Sequence, residues 1–341
     1  MNDSLDLINR IIPEAALLLK QRYDILSAIH SFQPLGRRSL SLKLSLNERR
    51  MRRELDYLRK QGLIEARGEG VYLTEEGVSL LLDMQPYVRE ALGLTYLEEN
   101  LAARLGLSRA IIVPGDSDSS DAVSLDMGRA AARCIRENLK EDSTIAVTGG
   151  WTLARVSQVT TGYFPGVTVV PARGGLGEKV EIQANTIAAR LAENLGGAYR
   201  LLHIPENLDP AALKALLANI RIQEVLSIIH GADILLFGVA RADSMAGRRG
   251  LTPDETRELL SRGAVSEALG HYFNEKGEVV ASVPGLGLEF SDMPRLNLSM
   301  AVAGGGSKSQ ALRAALTNRP RQVLVTDEGA ARGILEKDSG F

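Results

Sequence analysis

From Arg109 onward the chain repeats one pattern: a short β-branched or apolar run, often a glycine cluster, then a helical segment. The runs are AIIV (110–113), TIAV (144–147), VTVV (167–170), YRLLHI (199–204), ADILLFGV (232–239), LNLSMAVA (296–303) and QVLVT (322–326). Strands separated by helices read as a mostly parallel sheet, because parallel neighbours need a long crossover and the helix supplies it. The pattern predicts an α/β, Rossmann-like domain over 109–341 with helices on both faces of the sheet. Ligands in such folds sit at the carboxyl ends of the strands.

Residues 1–90 have a different texture, helices plus one short hairpin, so the 341-residue chain reads as two domains. Ile25, Leu26, Ile29 and Phe32 recur at helical spacing after Pro13, and the turn Pro34–Gly36 ends that helix. A second long helix is expected from Glu48 to Gln61, with Gly62 at its C-terminal cap. Ser45 is the expected N-cap and Glu48 its capping-box partner. Leu63–Ala66 and Val71–Leu73 flank the turn residues Arg67-Gly68-Glu69-Gly70, which predicts a hairpin. Thr74 and Gly77 open a further helix.

On the helix that starts near Glu48, Met51, Leu55 and Leu58 fall on one narrow arc and form the buried face. Arg49, Arg53 and Lys60 point the other way, with Arg50 and Arg52 on the flanks. A cationic helix entered through a tight turn from a shorter one is the arrangement that docks in a DNA major groove, and the hairpin after it resembles a wing. The whole chain carries a formal charge of only −2, but residues 37–67 hold ten Lys or Arg against four Asp or Glu. Such a local excess supplies sequence-independent affinity for phosphates. Arg49, Arg50 and Arg53 are the candidates for reading guanine edges. Arg37, Arg38, Ser45, Asn47, Arg52, Lys60 and Arg67 complete the expected DNA-contacting set, and double-stranded DNA is the expected partner.

Between the two domains, Met84, Val88, Leu92, Leu97 and Leu101 form an apolar stripe broken at Gly93. Residues 91–108 are therefore expected to be a linker helix, which either pairs with a second chain or packs on its own domain. Cys134 has no cysteine partner, and no apolar run approaches the ~20 residues of a membrane span. With a polar N-terminus, this gives the expectation of a cytoplasmic protein.

Three glycine-rich segments follow expected strands: Thr148-Gly149-Gly150-Trp151-Thr152, Ala172-Arg173-Gly174-Gly175-Leu176-Gly177-Glu178, and Ala303-Gly304-Gly305-Gly306-Ser307-Lys308. Glycine lets the backbone approach an anion, and a following helix N-terminus offers N–H groups and a positive dipole end. Thr152 and Ser307 add hydroxyls, and Arg173 and Lys308 add charges suited to phosphate. None of the three is a Walker A loop or a dinucleotide fingerprint. Glu267, in SEALGHYF, is either an acceptor for sugar hydroxyls or an ordinary helix-surface carboxylate. No spacing points to a metal site, and no cofactor is expected.

The succession T-G-G-x-T, P-A-R-G-G-L-G-E, Q-A-N-T (183–186), A-V-A-G-G-x-S-K and V-T-D-E-G-A-A (325–331) behind a helix-turn-helix head resembles the SorC/DeoR-type sugar-responsive repressors over essentially the whole chain. The resemblance implies a winged helix-turn-helix domain. It further implies an effector domain with the fold of ribose-5-phosphate isomerase and glucosamine-6-phosphate deaminase. Repression of glycolytic genes, a homo-oligomer built as a dimer of dimers, and fructose-1,6-bisphosphate as the inducing effector also follow from it. Carried over by motif, Gly149, Gly150, Trp151 and Thr152 would hold one phosphate. Arg173, Gly175 and Gly177 would line the second loop, Gly305, Gly306, Ser307 and Lys308 would bind phosphate from the third, and Glu267 would contact the sugar. Trp151 departs from the small or hydroxyl residues common at its position in the family.

Two alternatives stand beside this reading. One is a sugar-phosphate isomerase or deaminase, which would need a general base beside the sugar; His30, His203, His230 and His271 sit in no such motif. The other is a repressor that answers a different phosphate, such as a triose or sugar-alcohol phosphate.

Overall fold

The computed structural model describes residues 11–44, 46–175, 179–205 and 210–336. The head contains α1 (Pro13–Phe32), α2 (Arg37–Lys43), α3 (Glu48–Lys60), β1 (Ile64–Arg67), β2 (Gly70–Leu73) and α4 (Glu75–Asp83). Met51, Leu55 and Leu58 are buried against Ile25, Leu26 and Ile29 of α1 and Leu40 of α2, so the apolar seam of α3 is its packing face. Truncating a fully buried side chain such as Met51 to Ala costs about 2–5 kcal/mol. The hairpin pairs Ile64 with Leu73 and Arg67 with Gly70. Thr74 caps α4 by accepting from the Gly77 N–H at 3.0 Å.

The start of α3 differs from expectation. Its N-cap is Asn47, whose Oδ1 accepts from the Arg50 N–H at 2.8 Å. Asn at N-cap satisfies an orphan amide as well as Ser does, and its position two residues later fixes where the helix begins. Glu48 instead faces Arg37 and Arg38, at 3.9 and 3.6 Å. Ser45 lies outside the described residues.

The connector is α5 (Gln85–Ala91) and α6 (Leu94–Leu105), separated by Gly93 at φ +63°. Met84 and Val88 pack in the head core, Leu97 and Leu101 in the core of the larger domain, and Leu92 against both. Packing on its own chain thus accounts for the apolar stripe. Two side chains of the connector also finish the sheet edge. Glu98 accepts from the Ile112 N–H at 2.6 Å, and Arg89 donates to the Ile112 carbonyl at 2.7 Å while pairing with Glu98 at 2.7 Å. These contacts satisfy the outward N–H and carbonyl of Ile112 and so blunt the edge strand at that residue.

In chain order the larger domain holds β3 (Arg109–Val113), α7 (Asp121–Asn138), β4 (Thr144–Val147), α8 (Trp151–Val159), β5 (Thr168–Pro171), α9 (Ala184–Leu195) and β6 (Ala198–Tyr199). These are followed by α10 (Pro210–Leu217), α11 (Ile220–His230), β7 (Ile234–Phe237), β8 (Ala240–Arg241), α12 (Ala242–Arg248) and α13 (Pro253–Ser261). The chain closes with β9 (Ser266–Ala268), β10 (His271–Phe273), β11 (Val279–Ser282), β12 (Leu298–Val302), α14 (Ser309–Leu316), β13 (Gln322–Asp327) and α15 (Glu328–Glu336). Seven strands form a parallel sheet in the order β3-β13-β12-β7-β4-β5-β6. One apolar core lies on each face. The order reverses between β4, which leads out to β5, and β7, which leads to β12. Ligand crevices open at such a switch point.

Two expectations are corrected. Of the run 199–204 only Tyr199 is strand, as the second residue of β6 (Ala198–Tyr199). Leu202 is buried, but its backbone is satisfied by a side chain: Asn185 accepts from its N–H and donates to its carbonyl, both at 3.1 Å. SEALGHYF is not helical. It supplies β9 and β10 of a second, antiparallel sheet, ordered β11-β10-β9-β8, in which Glu267 is buried.

Candidate functional site

The outer face of α3 is cationic. Arg49, Arg50, Arg52, Arg53 and Lys60 are exposed, as are Arg37 and Arg38 on α2. Arg52 lies 3.9 Å from Asp56. On the hairpin, Arg67 is exposed, pairs with Glu65 and stacks 4.5 Å over the Tyr72 ring. Asn47 is exposed, with its Oδ1 committed to the cap.

A cavity of about 290 Å³ opens at the switch point. Four strand ends build it. After β4 come Thr148, Gly149, Gly150, Trp151, Thr152 and Leu153; after β5, Arg173, Gly174 and Gly175; after β7, Gly238–Arg241; after β12, Lys308. The small sheet closes the other side with Glu267, Leu269 and Gly270, and α12 adds Ser244, Met245 and Arg248 with the adjoining Arg249. Ile182, Gln183 and Ala184 complete it at the start of α9.

The first glycine loop shows why glycine is needed. A Cβ on Gly149 would lie 2.8 Å from the Ile182 carbonyl oxygen, and Gly150 holds φ +128°, where L side chains are strained. The loop delivers the N-terminus of α8 to the cavity. A helix leaves its first amides without intrahelical partners, and here these belong to Trp151, Thr152 and Leu153. Trp151 stands at the mouth, 58% exposed, with the Lys179 ammonium 5.6 Å from its ring.

Among the described residues, five cationic side chains line the cavity, Arg173, Arg241, Arg248, Arg249 and Lys308, against one carboxylate, Glu267, and Arg241 is itself paired with Asp243. Arg173 is buried, and its guanidinium donates to the carbonyls of Val283 at 3.0 Å and Leu288 at 3.4 Å. Arg249 and Glu267 pair at 3.1 Å; Glu267 also accepts from the Gly270 N–H at 2.8 Å, and Arg249 reaches the Tyr272 hydroxyl at 3.1 Å. Glu267 is therefore a held acceptor on the floor of the cavity, not a surface carboxylate. Burial pushes the Lys308 ammonium below its ordinary pKa, opposed by the neighbouring charges of Asp118 and Asp327. Desolvated cations next to free helix amides are suited to a phosphorylated ligand.

The cavity gathers Gly149, Gly150, Trp151, Thr152, Arg173, Gly175, Glu267 and Lys308 from the expected set. Gly305, Gly306 and Ser307 are not among its lining residues, and carboxylates of the chain take their amides. Gly305 donates to Asp327 at 2.7 Å, Gly306 to Asp116 at 3.4 Å and Ser307 to Asp118 at 2.8 Å. Gly177 lies outside the described residues. Thr148 stood in the first glycine segment without a role, and sequence reasoning missed Arg241, Ser244, Arg248 and Arg249; the basic pair inside Gly247-Arg248-Arg249-Gly250 was the available signal. Gln183 stood in the Q-A-N-T motif without a role. Among the described residues no histidine lines the cavity. Among the described residues no group of His, Cys, Asp and Glu is arranged to hold a metal, and no helix is long and apolar enough to cross a membrane.

Two family models match the chain. The one described as "CggR N-terminal DNA binding domain" covers residues 18–88, and "Putative sugar-binding domain" covers residues 89–336. The chain is 40% identical to the central glycolytic genes regulator of Bacillus subtilis over 99% of its length and all of that protein. It is 41% identical to the regulator of the same name from Priestia megaterium, over 98% of this chain and 99% of that one. Among solved structures, a SorC family transcriptional regulator from Enterococcus faecalis aligns with a TM-score of 0.66 at 38% identity, covering 70% of this chain and 99% of that one. The full-length sorbitol operon regulator SorC of Klebsiella pneumoniae aligns with a TM-score of 0.66 at 18% identity, covering 91% of this chain and 96% of that one, which speaks for the fold alone. These relatives are transcription regulators, not enzymes. With a DNA-binding head, a sugar-binding α/β domain and this identity over nearly its full length, the chain belongs to the SorC/DeoR-type family of sugar-binding transcription regulators.

Proposed function

We propose that the chain represses glycolytic genes and that a phosphorylated sugar bound in the cavity loosens its hold on DNA. The observation that carries the ligand class is the charge of the cavity: among the described residues, five cations and one paired carboxylate surround the amides of a helix start. An anion is what such a site stabilises. Fructose-1,6-bisphosphate is the effector of choice: the resemblance names it, and the cations lie on more than one side of the cavity. One phosphate belongs at Gly149–Thr152 on the N-terminus of α8, the other beside Lys308 and Arg248, with Glu267 and Gln183 on the sugar hydroxyls. Trp151 walls the mouth. The domain takes the ribose-5-phosphate isomerase and glucosamine-6-phosphate deaminase type of fold, used here for binding without turnover.

In the head, α2 and α3 are assigned as a helix-turn-helix with the β1–β2 hairpin as wing. Arg49, Arg50 and Arg53 read base edges from the major groove, and Arg37, Arg38, Arg52, Lys60 and Arg67 hold phosphates. The protein binds its operator as a dimer of dimers.

Thermal-shift titration with fructose-1,6-bisphosphate, triose phosphates and sugar-alcohol phosphates tests the ligand. A ligand at a hundred times its Kd stabilises by about 2.7 kcal/mol. The bisphosphate is expected to give the largest shift; a larger one from another phosphate would replace it as effector, and no shift from any would reject the site.

A further inference from the structure

The third glycine loop is built as an anion nest, yet the chain fills it itself. Three successive amides, those of Gly305, Gly306 and Ser307, point at carboxylates, and the Ser307 hydroxyl donates to Asp118 at 3.1 Å. Gly305 holds φ +99°, and a methyl group there would collide with the Asp118 carboxylate. Consecutive amides turned to one side are the arrangement that elsewhere receives phosphate.

The three carboxylates are not equivalent. Asp327 is fully buried and also accepts from the Ser117 amide at 2.9 Å, the Ser117 hydroxyl and the Ala330 amide at 2.8 Å, so it is a fixed pivot between loops. Asp116 accepts from the Asp118 amide at 2.8 Å and shapes its own loop. Asp118 is exposed, and among the described residues the hydrogen bonds to its carboxylate come from Ser307 alone. It is the member that can leave. The residue after Ser307 is Lys308, which lines the cavity, so nest and cavity share a wall. The charge of Asp118 is felt at Lys308 and at Arg241, both cavity residues. A phosphate beside Lys308 therefore adds a second negative charge near that of Asp118, and like charges disfavour each other.

Asp118 also sits at a sensitive point of the chain. Three residues later α7 begins, and Asp121 lies 3.6 Å from Lys43 of α2. One turn and two turns further on, Asp126 and Arg129 bond Ser27 and Ser31 of α1.

We infer that Asp118 is a built-in competitor for the Ser307–Lys308 end of the cavity, that a ligand phosphate must displace it, and that its release is passed through α7 to the DNA-binding head. The inference rests on the sugar-phosphate reading of the cavity and adds the residue that opposes it. A ligand shifts a conformational balance only through a differential interaction, and displacement of Asp118 provides one.

The test is Asp118→Asn in the full chain, which keeps the shape and removes the charge. Calorimetric titration with fructose-1,6-bisphosphate and with inorganic phosphate is run on the wild type and the variant, together with anisotropy on glycolytic promoter DNA without ligand. The variant is expected to bind the bisphosphate about three- to tenfold more tightly, the worth of one charge-assisted contact at an exposed site. Without ligand it is expected to bind DNA more weakly by a similar factor, with an unchanged melting temperature. Equal or weaker ligand binding in the variant, with normal binding in the wild type, overturns the competitor. Tighter ligand binding with unchanged DNA affinity overturns the transmission through α7. If the wild type binds neither probe, the sugar-phosphate reading itself fails and this inference falls with it.

Discussion

Asp126 of α7 accepts a hydrogen bond from Ser27 of α1 at 3.0 Å, across the boundary between the sugar-binding domain and the DNA-binding head. It also pairs with Arg129 at 2.6 Å, and Arg129 reaches Ser31 of α1 at 3.1 Å. Burial pushes the Asp126 carboxyl above its ordinary 3.8, opposed by the charge of Arg129 and its hydrogen bonds. A carboxyl with a raised folded pKa binds its proton more readily in the native state, so stability falls as pH rises through the window from 3.8 to that raised value. Asp126→Asn is expected to flatten this slope in denaturant unfolding measured across mildly acidic pH. An unchanged slope would place the burden elsewhere.

Glu267 and Arg249 stabilise the floor of the cavity only as a pair. Glu267→Ala leaves a buried guanidinium beside the ligand, and breaking a buried pair from one side costs about 3–5 kcal/mol. Unfolding of Glu267→Ala is expected to show a loss of this size together with lost sugar-phosphate binding. Retained stability would mean that water enters and solvates Arg249.

Lys308→Ala is expected to keep operator affinity and lose the response to the effector, measured as the ratio of DNA affinities with and without fructose-1,6-bisphosphate. A variant that still responds would move the second phosphate away from this loop.

Arg53→Ala is expected to weaken operator binding by about 1–3 kcal/mol and leave effector affinity unchanged. Arg52→Ala, assigned to a phosphate, is expected to weaken binding across sequences and lower the salt slope by about one. Normal operator binding by Arg53→Ala at physiological salt would reject α3 as the reading helix.

The parts visible in the sequence were those with a local physical cause. The Met51, Leu55 and Leu58 seam is a helix period, and before α8 Gly149 answers a close approach to Ile182 while Gly150 answers a positive φ. The longer strands of the parallel sheet are largely buried apolar runs, whereas β6 is exposed. What escaped was assembled over distance. Arg248 and Arg249 reach the cavity because a small antiparallel sheet, with strands of two to four residues, folds back over the switch point. Strands so short carry little alternation. The 199–204 run has the apolar content of a strand, yet Asn185 supplies the hydrogen bonds that a neighbouring strand would give. The third glycine loop was legible as an anion nest, but the aspartates that fill it come from residues 116–118 and 327, distant in sequence.

The most direct measurement of the whole account is a gel shift on a promoter fragment from upstream of a glycolytic operon, with and without fructose-1,6-bisphosphate. A retained complex that weakens as the bisphosphate is added is the expected result. A complex that is unaffected or strengthened by it, or no complex at all, would contradict the coupling of the cavity to DNA.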